Sequence, residues 1–135
     1  MTTLPDTYPA QSLNLYIQAA LGKKAMDLVV LDVRKLSSIA DVFIICSGLS
    51  NRQVVAIAEH IQEDLKKQGI KPLSVEGKKE GHWVLLDYGH VIIHVFYEPI
   101  RSFYDLEGLW IDAERIETRT LDHNDGEKSK TDVPA

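Results

Sequence analysis

The chain has 135 residues, a formal net charge of -5, 44% hydrophobic and 26% charged residues, and a single cysteine, Cys46. That is the composition of one ordinary globular domain, long enough to bury a core without staples, and one cysteine excludes a disulfide framework and a multi-cysteine metal centre. No apolar run reaches the roughly 18 residues of a membrane helix. Residues 1–10 lack the basic-then-apolar order of a secretory signal. The basic pairs Lys23-Lys24, Arg34-Lys35, Lys66-Lys67 and Lys78-Lys79 are diluted by acids, unlike the basic stripe of a nucleic-acid groove. The expectation is a cytoplasmic protein with no membrane contact and no dedicated nucleic-acid site.

Residues 1–11, with Pro5 and Pro9, read as a loose, flexible arm. Ser12 can cap a helix whose Leu13, Tyr16, Ile17, Ala20 and Leu21 share one face, ending near Gly22. Asp27 to Val33 and Val42 to Cys46 read as strands covered on both faces, because their apolar runs are continuous. Ser50 opens the clearest helix. It has capping-box spacing with Gln53, and Val54, Ile57, Ala58, Ile61 and Leu65 form one stripe. Gly69 supplies a left-handed stop. Pro72 to Gly77 fits an edge strand, where a missing N–H is tolerated. His82 to Asp87 and His90 to Tyr97 predict a hairpin around Tyr88-Gly89, and Pro99 suits the first turn of a short helix. This order predicts an α/β (α+β) fold, a single mixed sheet with helices packed on it. Past residue 111 acids outnumber bases seven to four. That predicts a folded domain over 12–111 and an acidic, largely disordered tail over 112–135.

The hairpin carries the most informative pattern. With Asp87 opposite His90, alternation puts His82, Val84, Leu86, Val91, Ile93, Val95 and Tyr97 on one face, suited to lie under helices. The other face gathers Trp83, Leu85, Asp87, His90, Ile92, His94 and Phe96. Rings, aliphatics and polar groups mixed in this way suit a protein interface. The alternative is a second core face closed by the C-terminal segment. Residues 101–110 carry the same two readings: Phe103, Leu106 and Trp110 can fill the core while Tyr104, Asp105 and Glu107 face outward.

Catalytic patterns are weaker. Ser47-Gly48-Leu49-Ser50-Asn51 joins a buried strand to a helix and can present N–H groups to a phosphate. It lacks the lysine of a P-loop and two glycines of a dinucleotide fingerprint, and capping accounts for it. His90 and His94 on one strand face lie about 13 Å apart, too far to share an ion. Asp27 and Asp32 fall on opposite faces, His60 sits in a helix, and Cys46 reads as a small buried hydrophobe. No catalytic residue, metal ligand or cofactor is assigned.

Several stretches taken together carry a family likeness. They are Leu31-Asp32-Val33-Arg34, residues 37–48 from Ser37 to Gly48, Ser50-Asn51-Arg52-Gln53-Val54, Glu76-Gly77, Trp83 to Gly89, His94-Val95-Phe96 and Arg101 to Trp110. In this order and spacing the chain resembles the Iojap-like ribosomal silencing factors over about residues 12–111. The resemblance implies a nucleotidyltransferase-like fold that has lost its catalytic acids, and so no enzyme. It implies a translational repressor that binds the large ribosomal subunit through that subunit's protein fourteen in the universal nomenclature. Bound there, it would block joining of the small subunit, mainly under nutrient limitation, and it would be a homodimer when free. Carried over by position, the partner surface falls on Trp83, Asp87, Tyr88, His94, Arg101, Tyr104, Asp105, Leu106, Glu107 and Trp110. Trp83 and Tyr104 would be desolvated anchors, and Asp87, Asp105 and Glu107 would meet basic side chains. Two alternatives stand beside this: a large-subunit assembly factor using the same surface, and a nucleotide-binding enzyme with acids such as Asp41 and Asp87 converging on the Ser47-Gly48 turn.

Overall fold

A computed structural model describes residues 10–117. Its elements in chain order are α1 (Ala10–Leu21), β1 (Met26–Asp32), β2 (Val42–Gly48), α2 (Asn51–Lys67), β3 (Ser74–Glu76), β4 (Trp83–Asp87), β5 (Val91–Tyr97), α3 (Glu98–Tyr104), α4 (Leu106–Leu109) and β6 (Glu114–Arg115). The strands form one mixed sheet in the order β3-β4-β5-β2-β1-β6. Its central pair, β2 and β5, is parallel; the other neighbours are antiparallel. A parallel pair needs a crossover, and α2 with the β3–β4 excursion provides it. The mixed sheet with packed helices is the architecture the sequence predicts.

The helix α2 forms where its signals stand. The Ser50 hydroxyl accepts the Gln53 N–H at 3.0 Å. The Gln53 side chain reaches one residue further back than a capping box requires, accepting the Leu49 N–H at 2.6 Å. The predicted stripe of Val54, Ile57, Ala58, Ile61 and Leu65 is the buried one. At the other end Gly69 adopts φ +80. The Gly69 and Ile70 N–H groups donate to the Lys66 and Leu65 carbonyls, the pairing of a Schellman stop. The first helix differs from expectation: it begins at Ala10, so Ser12 lies inside it rather than capping it. Ala10 and Gln11 are good helix formers and extend the first turn.

One face of the sheet is roofed by α1 and α2. Val30, Ile44, Cys46, Val84, Leu86, Ile93 and Val95 pack there against Leu13, Tyr16, Ile17 and the α2 stripe. The second face carries Leu31, Phe43, Ile45, Ile92 and Phe96 under Val33, Ala40 and Leu106, with Trp83, Leu85, Ile100 and Trp110 half-buried at its margin. At the end of β1 the Asp32 carboxylate accepts from the Arg34 guanidinium at 3.1 and 3.0 Å and from its backbone N–H at 3.1 Å, which closes the bend into the 33–40 connection.

The hairpin tip is Gly89-His90 rather than Tyr88-Gly89. The Tyr88 N–H donates to the Val91 carbonyl, and Gly89 takes φ +93 at the first tip position, as a II′-type turn requires. Asp87 therefore pairs with Ile92, two residues from the expected register. A two-residue offset preserves strand parity, so the face assignments hold for Trp83–Asp87 and Val91–Tyr97, while His82, expected under the helices, lies outside β4 and is exposed. His90 itself leaves the pleat at the tip, and its ring meets Tyr16 edge-on at 5.8 Å, on the helix side. It shares no face with His94.

The sheet also runs past residue 111, where the sequence reading ended the domain. Glu114 and Arg115 pair with Asp32 and Leu31, and Ile116 buries its side chain in the helix-side core. The reading of residues 1–11 as an arm fails at Ala10 and Gln11, which belong to α1; its remainder, residues 1–9, and the tail past residue 117 lie outside the described residues.

Candidate functional site: an aromatic patch on the second sheet face

Alternation along β4 and β5 delivers Trp83, Leu85 and Asp87, with Ile92, His94 and Phe96, to the face away from α1 and α2. Cross-strand pairing sets Trp83 opposite Phe96, with ring centroids 4.7 Å apart. The chain then turns at Glu98 into α3 and lays Tyr104 against Trp83 at 5.2 Å, while Phe103 meets Tyr104 edge-on at 5.1 Å. Deeper in, Phe43 contacts both His94 and Trp110 edge-on at 5.1 Å. A run of rings thus leads from solvent at Phe103 (78% exposed) and Tyr104 (51%) to Phe96, which is fully buried. Leu109 and Ile111, 76% and 73% exposed, flank Trp110 in the chain.

The core reading of this face holds for the strands, and exposed side chains remain at its margin. The strand residues make a second core, closed by α3, α4 and the 33–40 connection. The margin made by α3 and α4 leaves large apolar side chains uncovered, and those are the groups an interface uses.

The ten residues singled out in the sequence separate accordingly. Trp83 and Trp110 are half-buried, and Tyr104 and Asp105 are exposed. His94 (4% exposed), Arg101 (7%) and Leu106 (9%) lie behind them. Tyr88 is on the opposite face, in the helix-side core, edge-on to Tyr16 at 5.5 Å. Burial, and then the neighbouring Tyr16, push its phenol up to about 12. Asp87 turns toward the hairpin tip, accepting the Gly89 N–H at 2.8 Å. Of the three residues expected to fill the core, Leu106 does so and Trp110 does in part, whereas Phe103 is exposed, because it stands on the face of α3 opposite Arg101; Leu109 and Ile111 are exposed apolar groups given no role in the sequence reading. No local signal marks Phe103: its exposure follows from the burial of Arg101, two positions earlier and about 200° away round the helix.

Charged groups hold this margin in place. Arg101 donates to the Ser47 hydroxyl at 2.6 Å and to both oxygens of Glu107, at 3.2 and 2.8 Å. The fork-shaped pairing ties α3 and α4 to the end of β2. The hydrogen bond from Arg101 holds the Glu107 carboxyl below its usual range. Asp105 adopts φ 49, ending α3, and its carboxylate accepts the Gly108 N–H at 3.2 Å to start α4. Glu107 is thus an internal partner first and a surface acid second.

His94 is an unusual core residue. Its Nδ1 accepts the Trp83 indole N–H at 3.1 Å. Burial pushes the imidazole down to about 4, so it is neutral and its proton sits on Nε2. That Nε2 is buried with no hydrogen-bond partner among the described residues, an arrangement that costs about 1–3 kcal/mol.

The geometry does not assemble a nucleotidyl-transfer site from the acids considered. Asp41 precedes β2 and so stands about 20 Å from Gly48 at its far end. Asp87 is level with Ile92 and Phe43, at the same distant end of the sheet. Ser47 is occupied by Arg101, and the N–H groups of Leu49 and Gln53 by the α2 cap. Among the described residues no group of three or more His, Cys, Asp or Glu is placed to hold a metal ion, and no helix is long and apolar enough to cross a membrane. A cleft of about 430 Å³ beside the patch is lined by Asp27, Glu98, Asp105 and Glu107 around Arg101. A second, of about 760 Å³, runs along α2 and mixes Lys23, Lys66 and Lys71 with Glu59 and Glu63.

Fold and patch together define a class: a single-sheet α+β protein that, among the described residues, leaves an aromatic margin exposed beside its second core. The comparisons narrow it. The family model described as "Ribosomal silencing factor during starvation" matches residues 5–135. The ribosomal silencing factor RsfS of Halalkalibacterium halodurans is 43% identical over 105 residues, 78% of this chain and 90% of that protein. The chloroplastic protein Iojap of Zea mays is 39% identical over 100 residues, 74% of this chain and 43% of that protein. The crystal structure of protein CV0518 from Chromobacterium violaceum superposes with a TM-score of 0.71 at 40% identity, covering 74% of this chain and 83% of that one. The chain belongs to the ribosomal silencing factor family.

Proposed function

We propose that the chain is a cytoplasmic translational repressor that docks on the large ribosomal subunit through that subunit's protein fourteen and blocks joining of the small subunit by its bulk. Family membership supports the ribosome as target and starvation as the occasion. The observation that carries the docking surface is the uncovered margin of Phe103, Tyr104 and Leu109 beside the half-buried Trp83 and Trp110. Rings of this kind dominate binding energy at protein interfaces. Asp105 and the acidic cleft beside it complement a basic partner within an RNA-rich particle, adding rate and register. Among the ten residues, Trp83, Tyr104, Asp105 and Trp110 would touch the partner. Asp87 and Glu107 would add charge at the rim, and His94, Arg101 and Leu106 would support from behind. Off the ribosome the same apolar margin would be shared between two copies as a homodimer. The mechanism calls for no cofactor and no chemistry.

The test is co-sedimentation with isolated large subunits, followed by addition of small subunits. The native chain is expected to co-sediment and to lower the yield of joined ribosomes. Tyr104→Ala, at an exposed position, is expected to weaken binding about tenfold or more while the protein stays folded. Native binding by both Tyr104→Ala and Phe103→Ala would show that the surface lies elsewhere.

A further inference from the structure

The strand β5 is apolar apart from His94, which sits between Phe43 and Phe96 in a second core otherwise built of hydrocarbon and ring. A phenylalanine or leucine would fill that place without a buried, unpartnered Nε2. The imidazole contributes something those residues lack, an acceptor for the Trp83 indole N–H at 3.1 Å. Trp83 is the side chain at which the buried rings meet the exposed ones. It touches Phe96 on the inside and Tyr104 on the outside. Ring contacts alone let an indole slide or flip in its plane, and a directed hydrogen bond does not. An anchor held in one orientation before contact loses less freedom on binding.

We propose that His94 is the positioning residue of the docking surface: by accepting the indole N–H it locks Trp83, and through Trp83 the lie of Tyr104, in the binding-ready arrangement. His94 itself, 4% exposed, does not meet the partner. The inference deepens the docking reading and rests on it.

The experiment has two arms. In the free protein, the Trp83 indole N–H is followed by NMR in native, His94→Phe and His94→Asn chains. Phe keeps a ring of similar volume without the acceptor; Asn places an oxygen where Nδ1 stood. The His94→Phe indole proton is expected to shift and exchange faster, and His94→Asn to restore it in part. In the second arm, affinity for isolated large ribosomal subunits is measured. His94→Phe is expected to bind about three- to tenfold more weakly, the worth of one directed hydrogen bond, with His94→Asn nearer to native. Trp83→Phe removes the N–H, and in that background His94→Phe is expected to change nothing further. An unchanged indole signal in His94→Phe overturns the proposal without reference to the ribosome. So does a further, additive loss in the Trp83→Phe background, because a packing role alone produces it. If Trp83→Ala and Tyr104→Ala lose binding while His94→Phe binds as the native chain, this inference fails and the docking reading stands. If Trp83→Ala and Tyr104→Ala both bind as the native chain, both fail together.

Discussion

The two faces of the sheet are built from the same strands and end in different states. The helix face is roofed by two long helices, and Val84, Leu86, Ile93 and Val95 lie there with no exposed surface. The opposite face is covered by short elements, α3, α4 and a connection, which leave Trp83 and Trp110 half open and Phe103 and Tyr104 in solvent. A long amphipathic helix buries whole strands at once. A seven-residue helix stopped by a left-handed Asp105 covers one end and projects its own side chains beyond it. Full burial is thus concentrated on one side of the sheet and exposed rings on the other, the side that the proposed function assigns to recognition.

That division makes measurable claims. The largest effect is expected on the roofed face: Ile93→Ala should lower unfolding free energy by about 2–5 kcal/mol, since a fully buried branched side chain leaves a cavity. Urea titration measures it, and a loss below about 1 kcal/mol would break the comparison. Next comes acid. Because the folded His94 titrates at about 4 rather than 6.5, the unfolded chain takes up this proton first as pH falls. Stability should fall between about pH 6.5 and 4, by about 3 kcal/mol from this group, and its contribution is constant outside that window. Comparing native and His94→Phe chains at pH 7, 5.5 and 4 isolates it: the native chain should lose more. Smaller, at about 2–3 kcal/mol, is Arg101→Ala, which strands the Ser47 hydroxyl and the partly exposed Glu107. Smallest is Phe103→Ser, within about 0.5 kcal/mol in stability because the ring is already in water, yet with weakened subunit binding. Opposite behaviour, an unstable Phe103→Ser chain that still binds, would reverse the roles of the faces.

Where one signal acts locally, the sequence was a sufficient guide. The α2 cap, its buried stripe and its glycine stop lie within a few residues of one another and need no tertiary information. The strand faces survived a misplaced hairpin tip because parity, not pairing, decides them. The margin was harder. Residues 101–110 hold rings and charges in a spacing that fits neither one helix nor a loop, and the break at Asp105 follows from a left-handed backbone that composition does not announce. Arg101 and Glu107 read as surface charges because nothing near Arg101 in sequence reveals Ser47, its buried partner 54 positions away. Tyr88 shares parity with Val84 and Leu86, so alternation alone would have sent it to the helix side. His90 was missed for the opposite reason, since a turn residue does not obey the pleat.

The parallel pairing at the centre of the sheet has a consequence for how the molecule comes into being. Val42 meets Val91 across about fifty intervening positions, and contacts this distant close slowly. During synthesis β2, buried along its whole length in the finished protein, has emerged and turned back on β1 well before β5 exists. For that interval its other edge is bare and apolar, so a chain arrested before residue 91 is the form most prone to aggregate.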